Sequence, residues 1–303
     1  MEFVITGATS FIGLELINFL LSLGHSVVAV CRPTSKSKQL IPDSCKILEL
    51  EMCEYQMAIS KMQLHADVFI NLAWVGTGHG GRENKDVQEE NAIHSAESII
   101  LANQIGCKLF VETGSQAEYG STMDVQKEDN VCDPFSEYGK AKLKVKEHGF
   151  QLSEQYNIKY MHLRIFSIFG ENDHPWTLVM SALDKMLVNE DVHLSPCTQN
   201  WNFLYVKDAV RMIVSLCDNA IQNENFQHEV YNIASLDTRE LKLFVERMKE
   251  LTFSSSKLNY GVNIPQNIVS LQPDMSKTIK DSGFNDFHSF DEVINRIITK
   301  KKH

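Results

Sequence analysis

Tyr138-Gly-Lys-Ala-Lys142 sets a phenol and an ammonium four residues apart. On a helix, residues at that spacing share one face, so the two groups can serve one site. A free phenol titrates near pH 10 and is a poor acid or base at neutral pH. A positive charge close by favours the phenolate and draws that pKa toward working pH. Ser115 offers a third group. It lies in Thr113-Gly-Ser-Gln-Ala-Glu-Tyr-Gly120, directly after the apolar run Lys108–Glu112. A hydroxyl at that strand end can hydrogen-bond a substrate oxygen. Taken singly, the pair is also what an ordinary helix face carries in a chain of eight tyrosines, and Ser115 is a turn serine.

The element that would bring a reaction partner to this trio stands at the start of the chain. Phe3, Val4 and Ile5 read as a strand buried on both faces, and Thr6 and Gly7 end it in a tight turn. From Phe11 onward, Ile12, Leu14, Leu16, Ile17 and Leu20 recur at helical spacing. A strand, a glycine turn and a helix N-terminus converge unpaired N–H groups on the positive end of a helix dipole, which suits a dinucleotide pyrophosphate. Gly7, Thr9, Ser10, Phe11, Ile12 and Gly13 are the expected contacts. Ser10 stands where such turns usually have a third glycine, and its hydroxyl can donate to a phosphate oxygen.

Short apolar runs alternate with helical patterns through the first half. Strands are expected at Ser26–Val30, Cys45–Leu50, Asp67–Leu72, Lys108–Glu112 and Lys159–Ile165, with a helix near Asn91–Ile105. That alternation predicts an α/β fold with a doubly wound parallel sheet of Rossmann type. After Gly170 the rhythm changes. Residues 1–170 are assigned to the dinucleotide domain, with strands at Phe203–Val206 and Val230–Ile233, in about 201–235, returning to it. Residues 171–200 and 236–303 are assigned to a smaller lobe, mostly helical after 236 and broken at Pro265 and Pro273.

Composition narrows the class. The net charge of −10 with no long basic block argues against nucleic acid or an anionic membrane as partner. No apolar stretch reaches the length of about 18 residues that a membrane helix needs. Met1 runs straight into a core strand, so no cleaved signal peptide is expected. Seven scattered cysteines form no Cys-x-x-Cys pair, and the eleven histidines show no ligand spacing, so neither a disulfide framework nor a metal is expected. A reduced, soluble cytoplasmic protein fits.

With these motifs in place, nearly the whole chain resembles the extended short-chain dehydrogenase/reductase family of nucleotide-sugar epimerases, dehydratases and reductases. The resemblance rests on Thr6-Gly7…Gly13, Asn71-Leu-Ala-Trp74, Asn91, Ser115, Tyr138…Lys142, Leu163–Gly170, Trp201–Asp208 and Asp274–Phe284. It implies a Rossmann domain with a C-terminal nucleotide-sugar lobe, and a homodimer joined through two helices per subunit. It further implies cofactor contacts at Leu72, Ala73, Trp74, Asn91, Thr113, Tyr138, Lys142, Ile165 and Ser167, and substrate contacts at Ser115, Gln116, Trp176, Trp201 and Phe203. Within the family, the Thr113–Gly120 run, Asp173-His-Pro-Trp176 and the Trp201 variant look most like the branch of CDP-abequose synthase and related 4-ketoreductases.

Departures from the family pattern refine that expectation. Family 4,6-dehydratases have an Asp-Glu pair where this chain has Gln116-Ala117, and Glu118, displaced by one, should leave the substrate side. NAD-preferring members place an Asp at the end of the second strand. Here Cys31 is followed by Arg32, with Ser35 and Lys36 close behind, which favours NADP(H) and leaves NAD open. Arg32 is equally suited to stacking on adenine. Trp201-Asn202-Phe203 stands where members often read Arg-Asp-Phe, so a diphosphate-gripping arginine is missing, with Arg239 or Lys242 as substitutes. The indole can stack on a base or simply pack. The reading that results is 4-ketoreduction by Ser115, Tyr138 and Lys142. A 4-epimerase with tightly bound NAD is the alternative, and a non-catalytic dinucleotide sensor is a third.

Overall fold

The computed structural model describes residues 1–55, 64–78, 80–263 and 269–302. In chain order the strands are β1 Glu2–Thr6, β2 Ser26–Cys31, β3 Lys46–Glu49, β4 Val68–Asn71, β5 Leu109–Ser115 and β6 Lys159–Ile165, then β7 Ser167–Phe169, β8 Val192–His193, β9 Asn200–Tyr205, β10 His228–Ile233, β11 Thr238–Glu240 and β12 Leu258–Asn259. The longer helices are α1 Phe11–Ser22, α2 Lys85–Gln104, α3 Glu137–Tyr156, α4 Leu178–Leu187, α5 Val206–Gln222, α6 Leu241–Thr252, α7 Ser276–Ser282 and α8 Phe290–Lys302.

Seven strands form one sheet in the order β3-β2-β1-β4-β5-β6-β10, every neighbouring pair parallel. The order reverses direction at β1, which opens a crevice at the carboxyl ends of β1 and β4, where ligands of such sheets bind. One face buries Phe3, Ile5, Val111 and Leu163 against Leu16 and Leu20 of α1 and Val210 and Ile213 of α5. The other buries Val4, Phe69 and Phe110 against Ile99 and Ala102 of α2 and half-buried Phe150 of α3. Strands covered on both faces must be apolar throughout, which is why they read as continuous runs.

The remaining strands make two small sheets, β11-β9-β7 and β12-β8, which with α4, α6 and α8 enclose a separate apolar cluster. Of the two later strands expected to rejoin the large sheet, the one at β10 pairs with β6. The other does not: β9 pairs with β7 and β11 instead. A four-residue apolar run carries no information about which sheet it joins. Pro265 lies outside the described residues. The Lys300–Lys302 run continues α8, with Lys301 paired to Asp184 at 2.5 Å.

Candidate active site

Ser136 caps α3 by accepting the Gly139 amide at 3.0 Å, which puts Tyr138 in the first turn and Lys142 in the next. Both face the carboxyl end of β5. That strand runs three residues past its expected end, because Thr113, Gly114 and Ser115 pair with Leu163, Arg164 and Ile165 of β6. Ser115 therefore stands on the last strand position, opposite the helix that carries Tyr138. A cavity of about 450 Å³ collects Ser115, Gln116, Tyr138 and Lys142 on one wall and Ser10, Phe11 and Ile12 on another. Leu72, Trp74, Thr113, Ile165 and Ser167 complete it, with Thr77, Arg82, Phe166, Ile168 and His174.

Burial pushes the Tyr138 phenol above its ordinary range, while the Arg82 guanidinium and a hydrogen bond with Ser115 pull it back. The cation lying over the Tyr138 ring is Arg82, 4.1 Å from its centroid; Lys142 Nζ is 5.9 Å away. Lys142 is engaged elsewhere. Its ammonium donates to the Thr113 carbonyl, lies 3.4 Å from the centroid of the Trp74 ring and stands 3.9 Å from Glu112 Oε1. Burial draws its pKa down to about 8, against the pull of Glu112.

Beneath Lys142 runs a row of buried polar groups in register across β1, β4, β5 and β6: Thr6, Asn71, Glu112 and His162. Thr6 donates to Asn71 Oδ1 at 2.5 Å, Asn71 donates to Glu112 Oε2 at 2.9 Å, and Ser95 donates to the same oxygen. Glu112 Oε1 has no hydrogen-bond partner. Burial raises the Glu112 carboxyl, with Lys142 the main opposing influence. Glu118 is different. It turns away from the cavity, as its displacement implies, and binds His162 Nε2 and Arg164 Nε, each at 2.9 Å, and the Ser115 amide at 2.7 Å.

The turn between β1 and α1 is built by close approach. Gly7 has φ +62°, and a Cβ there would meet the Leu72 carbonyl carbon at 2.8 Å and the Ala73 nitrogen at 2.9 Å. A Cβ on Gly13 would meet the Gly7 carbonyl oxygen at 2.6 Å, so α1 lies directly on the turn. Ser10 is the cap of α1, its Oγ accepting from the Gly13 amide at 3.0 Å. A hydroxyl that accepts one bond still has a proton to donate. Thr9 Oγ1 accepts from Ser35 Oγ at 2.9 Å and ties this turn to the loop after β2. Cys31 ends β2 and burial raises its thiol; Arg32 follows, exposed. The carboxylate facing Cys31 across the β2–β3 pair, Glu49, is held by Lys38 at 2.7 Å. An open helix N-terminus and, among the described residues, two lining cations and no lining carboxylate suit a polyanion such as a dinucleotide pyrophosphate.

Several expected contacts lie elsewhere. Asn91 spends both ends of its amide on Val75, accepting from its nitrogen at 2.9 Å and donating to its oxygen at 2.8 Å. It clamps the loop after β4 and does not line the cavity. Ala73 is not among the residues that line the cavity, and its amide donates to Thr6 Oγ1 at 3.2 Å. Phe203 is core, wedged among Phe169, Phe244 and Phe290, and Trp201 packs at the edge of the same cluster with its indole N–H buried and unpartnered. Trp176 is 71% exposed and stacks on His174, which does line the cavity, at 4.3 Å. Arg239 lies over Phe244 and pairs with Asp237, and Lys242 pairs with Glu246.

Sequence reasoning missed Arg82, Thr77 and His174. Arg82 follows the glycine-rich run Gly76–Gly81, which has neither helical nor strand periodicity. His174 lies inside Asp173-His-Pro-Trp176, but whether it lines the cavity depends on where that turn falls.

The model of the NAD dependent epimerase/dehydratase family matches residues 3–234. The chain is 26% identical to the CDP-abequose synthase of Salmonella muenchen over 273 residues, covering 86% of this chain and 84% of that protein. It is 25% identical to the Yersinia pseudotuberculosis CDP-abequose synthase over 309 residues, the full length of both. Among solved structures, the UDP-glucose 4-epimerase of Thermotoga maritima superposes with a TM-score of 0.89 at 20% identity, over 100% of this chain and 99% of that one. At that identity the likeness speaks for the fold.

Proposed function

The chain belongs to the NAD-dependent epimerase/dehydratase family, and from that premise we propose that it is an NADP(H)-dependent 4-ketoreductase of a nucleotide-linked 4-keto-6-deoxyhexose. One observation carries the reading: among the described residues lining the cavity there is no Asp or Glu. Dehydration of the sugar would need a carboxylate acid and base at neighbouring carbons, and Glu118 is committed to His162 and Arg164 instead. Reduction needs one proton donor beside the carbonyl. The similarity to the two CDP-abequose synthases supports the same choice.

Bound NADP(H) would supply a hydride to the C4 carbonyl carbon. The α1 N-terminus with Gly7, Ser10, Phe11, Ile12 and Gly13 would hold its pyrophosphate, and Arg32, Ser35 and Lys36 a 2′-phosphate. Tyr138 holds the proton that neutralises the developing alkoxide at O4. The phenol carries its proton at neutral pH; burial lifts its pKa and weakens it as an acid, and the Arg82 guanidinium and the Ser115 hydrogen bond work against that lift. Ser115 hydrogen-bonds the same oxygen and orients it. Lys142 supplies positive charge beneath the phenol as its proton leaves. In the reducing direction the active form is the protonated phenol, so the rate falls as pH rises through the Tyr138 pKa.

The wider setting follows the same reading. We infer a cytoplasmic enzyme, since all seven thiols are free and no described helix is long and apolar enough to cross a membrane. We also infer a homodimer joined through α2 and α3, which lie side by side on one sheet face.

The test is to incubate purified protein with NADPH and a panel of CDP-, dTDP-, UDP- and GDP-linked 4-keto-6-deoxyhexoses. NADPH consumption with at least one of them is expected, and Arg32→Ala should lower the preference for NADPH over NADH roughly tenfold. No NADPH consumption with any member would overturn the reading. Co-purifying NAD with sugar epimerisation and no net redox turnover would favour a 4-epimerase in its place.

A further inference from the structure

We propose that Arg82 is the permanent positive charge of this site, a positioning residue that lies over Tyr138 and stabilises its phenolate. The role rests on the reading of Tyr138 as the proton donor. Arg82 is carried by the turn Gly81–Glu83 after β4 and lines the cavity. Its guanidinium stands 4.1 Å from the Tyr138 ring centroid, well inside the distance of about 6 Å at which a cation attracts a ring face. That attraction strengthens when the ring carries negative charge, so the contact favours the phenolate over the phenol.

Lys142 is poorly placed to do this alone. Its ammonium is farther from the ring and is bound by the Thr113 carbonyl, the Trp74 face and the Glu112 carboxylate. Burial brings its pKa to about 8, so in mildly alkaline solution it loses its charge, whereas a guanidinium keeps its own. The loop after β4 thus closes on the catalytic helix at two points. Trp74 stands edge-on to Tyr138 at 5.9 Å and covers Lys142, and Arg82 covers Tyr138. Asn91 fixes the start of this loop through Val75, and Gln88 binds Gly81 next to Arg82 at 2.8 Å. The other charged or titratable groups around Tyr138 are Glu112 of β5 and Glu118 of the following turn, both of which raise its pKa, with Lys142 on its own helix and His174 across the cavity.

The direct test is a pH titration of the protein without ligands, labelled with ¹³C at the tyrosine ζ and lysine ε carbons. Tyr138→Phe and Lys142→Met identify the two resonances. Arg82→Gln should move both titrations to higher pH, by roughly half a unit to one unit for Tyr138 and by less for Lys142, since a neighbouring cation disfavours the ammonium too. Arg82→Lys should retain part of the effect. If both curves superpose on those of the unmodified protein, or if Arg82→Lys behaves as Arg82→Gln, the proposal is overturned. The readout needs no substrate, so it fails or succeeds independently of the reductase reading. If that reading also holds, the alkaline limb of the reduction rate in Arg82→Gln should shift upward by the same amount.

Discussion

Two carboxylates of the β5 region, Glu112 and Glu118, are both fully buried and both face cations, yet they are built differently. Glu118 is satisfied on every side by His162, Arg164 and the Ser115 amide, and although burial alone would raise its carboxyl, those partners hold it at about 2. Glu112 has Asn71 and Ser95 on one oxygen and nothing but the distant Lys142 ammonium opposite the other, and burial wins, raising its carboxyl. A completed network fixes structure. An incomplete one leaves a carboxylate oxygen without a hydrogen bond, and here the cation nearest to it, Lys142, lines the cavity beside Tyr138. The contrast separates a carboxylate that ties the β5–β6 end together from one whose cation lines the cavity.

That separation can be broken experimentally. The largest effect is expected at the functional end: Lys142→Met should lower the reduction rate by roughly 10²–10⁴-fold, measured in steady state, with the protein still folded. Glu118→Gln should act the other way round. Removing one partner of a buried ion cluster costs roughly 3–5 kcal/mol, read as a fall in thermal or denaturant midpoint, with little change in rate per folded molecule. A large loss of rate with unchanged stability would erase the distinction. The pH dependence follows from the same residue. Since the folded-state carboxyl titrates near 2 against an ordinary value of 4.5, its contribution is complete above that ordinary value and lost as pH falls toward 2. In Glu118→Gln, denaturant midpoints should lose less between pH 5 and pH 3 than in the unmodified protein (a window of roughly the shift itself). Smallest is Glu112→Gln. It should change stability by about 1 kcal/mol, because the neutral amide still accepts from Asn71 and Ser95. It should also lower the Lys142 pKa below about 8, since the carboxylate opposes burial there.

Sequence alone carried the fold well where a physical period existed. Strands buried on both faces must be apolar runs, and α1 must show helical spacing, so β1, β2, β6 and α1 were legible to within a residue or two. That Ser115, Tyr138 and Lys142 come together at one cavity was legible, because four-residue spacing on a helix and a serine after a strand are local facts. What escaped was set by tertiary placement. Thr113-Gly-Ser115 looks like a turn and is strand, because β6 offers it partners. Asn91 and Phe203 match family positions but point, respectively, at a loop backbone and into the lobe core. Arg82 sits in a glycine-rich segment with no period at all, and only the folded loop brings it onto Tyr138.

The most direct test of the central claim is isotopic. The protein is given NADPH deuterated at nicotinamide C4, in the transferable position, with a nucleotide-linked 4-keto-6-deoxyhexose that it consumes, and the product sugar is examined by NMR. The account predicts deuterium at sugar C4, one equivalent per NADPH oxidised, and none formed by Tyr138→Phe beyond a residual rate reduced at least roughly 10²-fold. Product without deuterium at C4, or deuterated product formed at an undiminished rate by Tyr138→Phe, would contradict it.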